Sequence, residues 1–109
     1  MTAEKMQVLF HTTTAERAER ICQEGFDKES HFCTGAPKRE MHGGSQVLMF
    51  AGPAADVEQY RCLTPETHFI LPQTATEALE RLACVHFDEW EDKKTELMAQ
   101  RRDLKWTMV

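Results

Sequence analysis

Three kinds of side chain in this sequence could do chemistry: a histidine and two carboxylates beside predicted strands, and a tyrosine in the predicted helix that follows a strand. His11 ends the apolar stretch 7–10, and Tyr60 follows the uniformly apolar stretch 47–51. Short apolar runs of this kind predict buried strands. A residue where a strand gives way to a helix stands at the rim of a sheet, where many folds hold ligands. Glu66 begins the predicted strand 67–71, and Glu89 lies just past the predicted strand 84–87.

The cysteines allow a second kind of site. They stand at four separate positions, with no Cys-x-x-Cys pair: Cys22, Cys33, Cys62 and Cys84. Without a secretory signal, reduced thiols buried as small apolar residues are the expected state. The alternative is a metal site formed by His31, Cys33 and His42 with Cys22 or Cys62, although this spacing matches no familiar zinc pattern.

Length and composition limit the classes of function. A chain of 109 residues predicts a single domain over 1–109. The formal net charge of -5 gives no electrostatic case for nucleic-acid or membrane-surface binding, and 41% hydrophobic residues is typical of a globular protein. No apolar run approaches membrane-spanning length, and residues 1–6 lack the apolar core of a signal peptide. We therefore expect a cytoplasmic protein with no membrane partner.

Local signals predict the elements that position these residues. Thr13 and Glu16 form a capping-box pattern for a helix that Gly25 ends. Gly52 is expected to make the turn after the strand 47–51, with Pro53 at the first position of the next helix.

The second half of the chain repeats the pattern. A capping box at Thr74 and Glu77 predicts a helix that reaches Leu82, and a later helix is predicted near 95–102. Residues 104–109 are predicted to form an edge strand. The segment 27–45 is the least regular, with one turn of strand at 31–33, and a loop of this length is either functional or a solvated insert. This mixed order of strands and helices predicts an α+β domain.

Two separated segments together resemble the ADP-ribosyltransferase superfamily, in the branch of diphtheria-toxin-like enzymes and poly(ADP-ribose) polymerases. The first is Leu-Phe-His-Thr-Thr at 9–13, followed by a helix and Glu-Gly-Phe at 24–26. The second is Val-Leu-Met-Phe-Ala at 47–51 with Tyr60 beyond it, and the separation of 11 between Met49 and Tyr60 equals that of the family's two aromatic residues. The resemblance covers about the first 60 residues and implies a compact split-sheet fold with short helices.

The resemblance implies NAD as co-substrate and assigns roles to the matching residues. His11 would hydrogen-bond the adenosine ribose, and the Thr12 backbone, followed by Thr13, would hold the nicotinamide amide. Tyr60 would stack on the nicotinamide ring, and Ala51, next to Phe50, would let the ring lie close. Two positions depart from the family pattern: its strand tyrosine is Met49, a soft thioether that can still lie against a ring, and its helix serine is Val57.

The family's third element is a glutamate at the start of a late strand, which stabilises the cationic sugar as nicotinamide leaves. Glu66 and Glu89 compete for this role, and the order of elements favours Glu89. Each could also be an ordinary surface acid.

The implied function is that of an NAD-dependent mono-ADP-ribosyltransferase acting on a macromolecular acceptor, with a protein expected. In its small size, the chain resembles a bacterial or phage effector or toxin. The alternative is a non-catalytic binding or inhibitor protein that keeps the fold. The related RNA 2′-phosphotransferase chemistry would need several arginines, and the sequence shows no such cluster near His11.

Overall fold

One six-stranded sheet with helices on both faces forms the protein in the computed structural model, which describes residues 5–37, 44–65 and 67–107. The strands are β1 (Met6–Thr13), β2 (Ser30–Cys33), β3 (Gln46–Pro53), β4 (His68–Leu71), β5 (Glu80–His86) and β6 (Leu104–Lys105). The helices are α1 (Ala15–Glu24), α2 (Ala54–Glu58), α3 (Gln73–Thr76) and α4 (Trp90–Gln100), with a 3₁₀ turn over Phe87–Glu89 before α4. The predicted α+β class is confirmed.

β1 pairs with its neighbour along its whole length on one side, and at only a few residues on the other side. The strand order is β4-β2-β1-β3-β5, with β6 beside the first residues of β1. β1 and β3 are antiparallel over eight residue pairs. β1 and β2 meet at the single pair Phe10 and Cys33, whereas β2 and β4 pair over all four residues. β6 runs parallel to β1 at Met6 and Gln7. The two halves of the sheet are therefore joined at one narrow point.

Side chains on β1 and β3 alternate between two apolar layers. On one face, which we call the α4 face, Phe10 and Met49 pack with Trp90 and Leu97 of α4. On the opposite face, the α1 face, Phe50 and Phe32 pack with Ala18 of α1. Because both faces are covered, both central strands are apolar along most of their length, as continuous runs predicted.

The first strand and helix differ from the prediction at their boundary. β1 continues through His11 to Thr13, since every one of these residues pairs with β3, so His11 lies within a strand and not at its exit. The helix cap is therefore Thr14, whose hydroxyl accepts a hydrogen bond from the Arg17 backbone N–H at 3.2 Å. The predicted capping box at Thr13 and Glu16 is wrong. Gly25 ends α1 with φ of 79°, as predicted.

The second strand-to-helix junction also shifts. β3 runs through Gly52 to Pro53, so Gly52 makes no turn and Pro53 is the cap residue of α2 and not its first residue. The one-turn strand at 31–33 is confirmed as β2, and the strand 67–71 as β4.

The predicted helix from Thr74 to Leu82 is replaced by a short helix and a strand. α3 covers only Gln73–Thr76 without a side-chain cap, and β5 begins at Glu80 because that segment pairs with β3. α4 begins at Trp90, earlier than predicted, and the final strand covers only Leu104–Lys105 within the described part of 104–109. In the described ranges, no helix is long and apolar enough to cross a membrane.

Cys22 on α1 and Cys84 on β5 bring two thiols together on the α1 face. The pKa of Cys84 is raised. The largest cause is partial burial of its thiol, and the neighbouring Cys22 thiol and the hydrogen bond between the two add to it. Arg81 of β5 donates a hydrogen bond to the Cys22 carbonyl oxygen of α1 at 2.9 Å, which also holds these two elements together. Both sulfurs are free thiols.

The aromatic cluster on the α1 face predicts a sensitive core position. Phe32 is 1% exposed, and its ring centroid lies 5.3 Å from that of Phe26 and 6.0 Å from that of Phe50. Phe32→Ala should lower the free energy of unfolding by about 3–5 kcal/mol in denaturant titrations, because it leaves a cavity among these rings. Leu63→Ala is the control: Leu63 is 97% exposed, and the change should stay within about 0.5 kcal/mol. Equal effects of the two variants would contradict the packing.

The thiol contact predicts a change in alkylation rate. Because the thiolate is the reactive form, a raised pKa slows the reaction of Cys84 at neutral pH. Cys22→Ala removes the neighbouring thiol, so alkylation of Cys84, followed by mass spectrometry against pH, should become a few-fold faster below its pKa. Cys62→Ala should leave the rate unchanged. An unaltered pH profile in Cys22→Ala would show that the two thiols do not interact.

Candidate functional site

His11 connects the two halves of the sheet where the backbone pairing of β1 and β2 stops. Its Nδ1 lies 2.7 Å from the backbone carbonyl oxygen of His31 on β2. A carbonyl only accepts hydrogen bonds, so Nδ1 carries the proton and donates it. The imidazole also packs against the rings of Phe26 and Phe32, with centroids 5.2 and 5.4 Å away. The ring is thus held in one orientation at the narrow junction.

A cleft of about 370 Å³ opens beside this histidine. It is lined on the strand side by His11, Thr13, Ser30 and His31, and on its outer side by Arg17 of α1 with Lys28 and Glu29 of the segment before β2. The cleft therefore lies where the sheet divides. It has a volume in the range of small-molecule sites.

A second groove of about 340 Å³ adjoins the cleft and shares Arg17 and Lys28 with it. Its other walls include Arg20, Glu24 and Asp27. The two shared cations line both spaces. A ligand that occupies both spaces would therefore place its middle against positive charge.

Arg17 and Lys28 are available to a ligand. Within the described part of the chain, neither the guanidinium of Arg17 nor the ammonium of Lys28 forms an ion pair or a side-chain hydrogen bond. Arg17 is fixed only through its backbone N–H at the start of α1. An unpaired guanidinium and ammonium on one lip favour a phosphate-bearing or carboxylate ligand.

These cations were missed in the sequence, where no arginine cluster was expected near His11. The structure brings Arg17 into the same cleft as His11, and Arg20 into the adjoining groove. The signal that could have found them is their spacing of three on the helix that follows the histidine, which places both on one helix face.

Three of the residues assigned to the NAD site by resemblance lie on the opposite side of the sheet from His11. Thr12, Met49 and Ala51 pair with Val47, Phe10 and Val8, and so share the α4 face. Met49 and Ala51 are both 0% exposed, and Thr12 is 4% exposed. Neither side chain on β3 offers surface to a ligand ring in this structure.

Gly44 explains part of the burial around Thr12. A Cβ at Gly44 would stand 2.8 Å from the Thr13 backbone nitrogen and would collide with the Thr12 methyl group. Only glycine allows the chain to approach β1 so closely here. The lead-in to β3 therefore covers Thr12, and Thr13 remains as the threonine that lines the cleft.

The other two assigned residues share the α1 face but not the cleft. Phe50 is 6% exposed and packs on Phe26, with ring centroids 5.4 Å apart. Tyr60 follows α2 and is half-buried. It lines a separate apolar groove of about 290 Å³ between α2 and α3, together with Val57, Ala78 and Leu79.

Of the two predicted carboxylates, the one that the structure describes, Glu89, does not line the cleft. Glu89 ends the exposed 3₁₀ turn before α4, and Glu66 lies outside the described residues. Two other glutamates take positions that the sequence did not indicate. Glu29 lines the cleft itself. Glu80 begins the late strand β5, where Arg101 donates to its two oxygens at 2.7 and 3.2 Å.

The alternative metal site is not assembled among the described residues, where no group of three or more His, Cys, Asp or Glu side chains could hold an ion. His31 lines the cleft, while Cys33 pairs with Phe10 and packs on the α4 face. His42 lies outside the described residues.

The hydrogen bond from His11 to β2 predicts a graded effect of substitution. His11→Leu removes the donor to the His31 carbonyl oxygen and should lower the free energy of unfolding by about 1–3 kcal/mol. His11→Asn places an amide N–H near the position of Nδ1 and should recover part of this loss. Denaturant unfolding and amide hydrogen exchange of β2 measure both effects. If His11→Asn is as unstable as His11→Leu, the bond does not hold β2.

No model of a known protein family matches this chain, and neither a curated protein nor a solved structure does. The chemistry of the cleft therefore rests on its own side chains.

Proposed function

We propose that this chain is an ADP-ribosyltransferase-like domain that binds NAD in the cleft beside His11 and transfers ADP-ribose to a macromolecular acceptor. The observation that carries the proposal is the position of His11. The histidine that the resemblance assigns to NAD lines a cleft whose lip holds two unpaired cations, Arg17 and Lys28. The finer assignment of the α+β fold, to the split-sheet ADP-ribosyltransferase type, is part of the same proposal.

The shape and charge of the two adjoining spaces suit a dinucleotide. Spaces of about 370 and 340 Å³ meet at Arg17 and Lys28. NAD has two nucleoside halves joined by a diphosphate, so each half would occupy one space and the diphosphate would lie between them. The guanidinium would bind phosphate oxygens in a bidentate manner, and the ammonium would act as a point charge.

The residues of the cleft then have separate roles in the reaction. In ADP-ribosyl transfer, the bond between the ribose C1′ and the nicotinamide nitrogen breaks, and its electron pair leaves with nicotinamide. A nucleophile of the acceptor forms the new bond to C1′ and loses its proton. His11, held by the His31 carbonyl, would bind and orient a ribose hydroxyl. Positioning of this kind reduces the entropic part of the barrier.

Positive charge develops on the ribose as nicotinamide leaves, and a nearby carboxylate would stabilise it. Among the described residues, Glu29 is the glutamate that lines the cleft, so we assign this role to it ahead of Glu89. Glu80 is neutralised in part by Arg101 and lies on the α4 face beside Ala51, which argues against it.

A second candidate function, a partner-binding protein that keeps the fold without the chemistry, is favoured by one observation. Met49 and Ala51, which would contact the nicotinamide ring, are completely buried on the α4 face. A domain of this kind would bind NAD weakly or not at all and would release no nicotinamide.

The proposal predicts that NAD binds and that cleft variants lose it. Arg17→Gln and Lys28→Gln should each weaken NAD binding about ten- to a hundredfold in calorimetry, because hydrogen bonds to charged groups contribute ~1.5–3 kcal/mol each. Nicotinamide release, measured with host lysate as a source of acceptor, should fall in the same variants. Glu29→Gln should lower release more than binding, and Glu66→Gln and Glu89→Gln test the two carboxylates chosen by resemblance.

Arg102→Gln is the matched control, because Arg102 is an exposed arginine beyond α4 and outside the cleft. Binding and release should be unchanged in it. Folded wild-type protein that shows no saturable NAD binding would reject the proposal. That result, together with no nicotinamide release with every acceptor source tried, would instead support the non-catalytic candidate.

A further inference from the structure

A smaller pocket lies on the α4 face, and three aromatic rings form part of its wall. Its volume is about 180 Å³, and its walls include Phe10, Trp90 and Trp106. The Phe10 ring meets Trp90 edge-on at 5.6 Å between centroids and Trp106 at 6.3 Å. Trp90 is 9% exposed and fixed in the core, while Trp106 is half-buried and keeps an open surface.

This pocket is separate from the His11 cleft. Phe10 and His11 are neighbours on β1, so their side chains point to opposite faces of the sheet. In the described residues, the two spaces share no lining residue. A ligand here is therefore additional to the one proposed above.

Polar residues line the rim of the pocket, and the charged one among those described is a lysine. The Lys94 ammonium lies 5.6 Å from the centre of the Trp106 ring. Lys94 has no ion-pair partner among the described residues, whereas its neighbour Lys93 pairs with Glu96 at 3.3 Å. Thr34 and Thr107 also line the wall, and the Thr34 hydroxyl already donates to the Thr67 carbonyl oxygen at 3.4 Å. None of the described residues that line the pocket is acidic.

The volume of the pocket and the charge at its rim indicate which class of ligand it can bind. A cavity of about 150 Å³ accepts one benzene ring, so 180 Å³ has room for a single-ring base but not for a dinucleotide. Indole faces stack on bases with a free energy of ~1–3 kcal/mol per base. The Lys94 ammonium, which contacts the Trp106 ring and has no ion-pair partner among the described residues, complements a phosphate, and the Thr107 hydroxyl can hydrogen-bond the edge of a base.

We propose that the pocket formed by Phe10, Trp90 and Trp106 binds a pyrimidine nucleotide, with the base on the Trp106 indole and the 5′-phosphate on Lys94. The Lys94 ammonium has three N–H donors, so it can stay near the ring face and donate to the phosphate at the same time. The proposal does not depend on NAD binding in the His11 cleft.

Tryptophan fluorescence tests this binding directly, because the chain has two tryptophans and both line the pocket. Uridine 5′-monophosphate should change the emission saturably when indole is excited at wavelengths that nucleobases do not absorb. Uridine without the phosphate should bind about tenfold more weakly, and Lys94→Gln should weaken the nucleotide by a similar factor. Lys93→Gln, next to it and paired with Glu96, should have no effect.

A further variant and three competition measurements distinguish this ligand from others. Trp106→Leu, checked by thermal unfolding, should lower nucleotide affinity at least about tenfold in calorimetry. Inorganic phosphate and nicotinate should not displace the nucleotide at equal concentration, and neither should NAD. The proposal is overturned if the nucleotide causes no saturable change, if uridine and its monophosphate bind equally, or if NAD competes with the nucleotide.

Discussion

The connection between β1 and β2 is the constraint on which the rest of the structure depends. β1 is fully paired with β3, but it meets β2 at one residue pair. Beyond that pair, the His11 imidazole replaces the missing backbone contact with a hydrogen bond to the His31 carbonyl oxygen. Because the sheet separates there, its backbone no longer fills the space, and the cleft between α1 and the start of β2 forms. The residue that holds the halves together is therefore also the wall of the site.

The alternation of one strand assigns the two candidate sites to opposite faces. Along β1, His11 and Thr13 reach the cleft, while Phe10 points to the tryptophan pocket and Thr12 is covered by Gly44. A short motif that reads as one functional unit in the sequence is thus divided between two environments. Spacing along the chain, such as the separation between Met49 and Tyr60, does not ensure a common site. The register of β1 and β3 places Met49 on the α4 face, whereas Tyr60 follows α2 and packs against the α1 face.

Much of the architecture could be predicted from the sequence. The apolar runs that became β1, β3 and β4 are long or uniform enough to identify buried strands, and Gly25 marks the end of α1. The predictions that failed concern where individual helices and strands begin and end. Thr13 was chosen as a helix cap because the pattern fits, but pairing with β3 keeps it in the strand and gives the cap to Thr14. The segment at Glu80 has helical periodicity, yet its neighbour β3 draws it into the sheet.

The site was predicted less completely than the fold. His11 and Thr13 line the cleft, but Arg17, Lys28 and Glu29 come together only because α1 and the start of β2 flank the same opening. No pattern within a single segment of the sequence predicts that these three residues line the same cleft.

The pairing of β1 with β6 has a consequence for how the chain folds. Gln7 donates through its side chain to the Lys105 carbonyl oxygen at 3.3 Å across a sequence separation of 98 residues, and Met6 and Gln7 pair with Leu104 and Lys105. The strand that carries His11 is thus completed by a segment that is synthesised 98 residues later. During translation, β1 stays incompletely paired until residues 104 and 105 are available, and contacts between such distant segments form slowly. A nascent chain would therefore leave one edge at the start of β1 unpaired until these residues emerge, even after β1 has paired with β3.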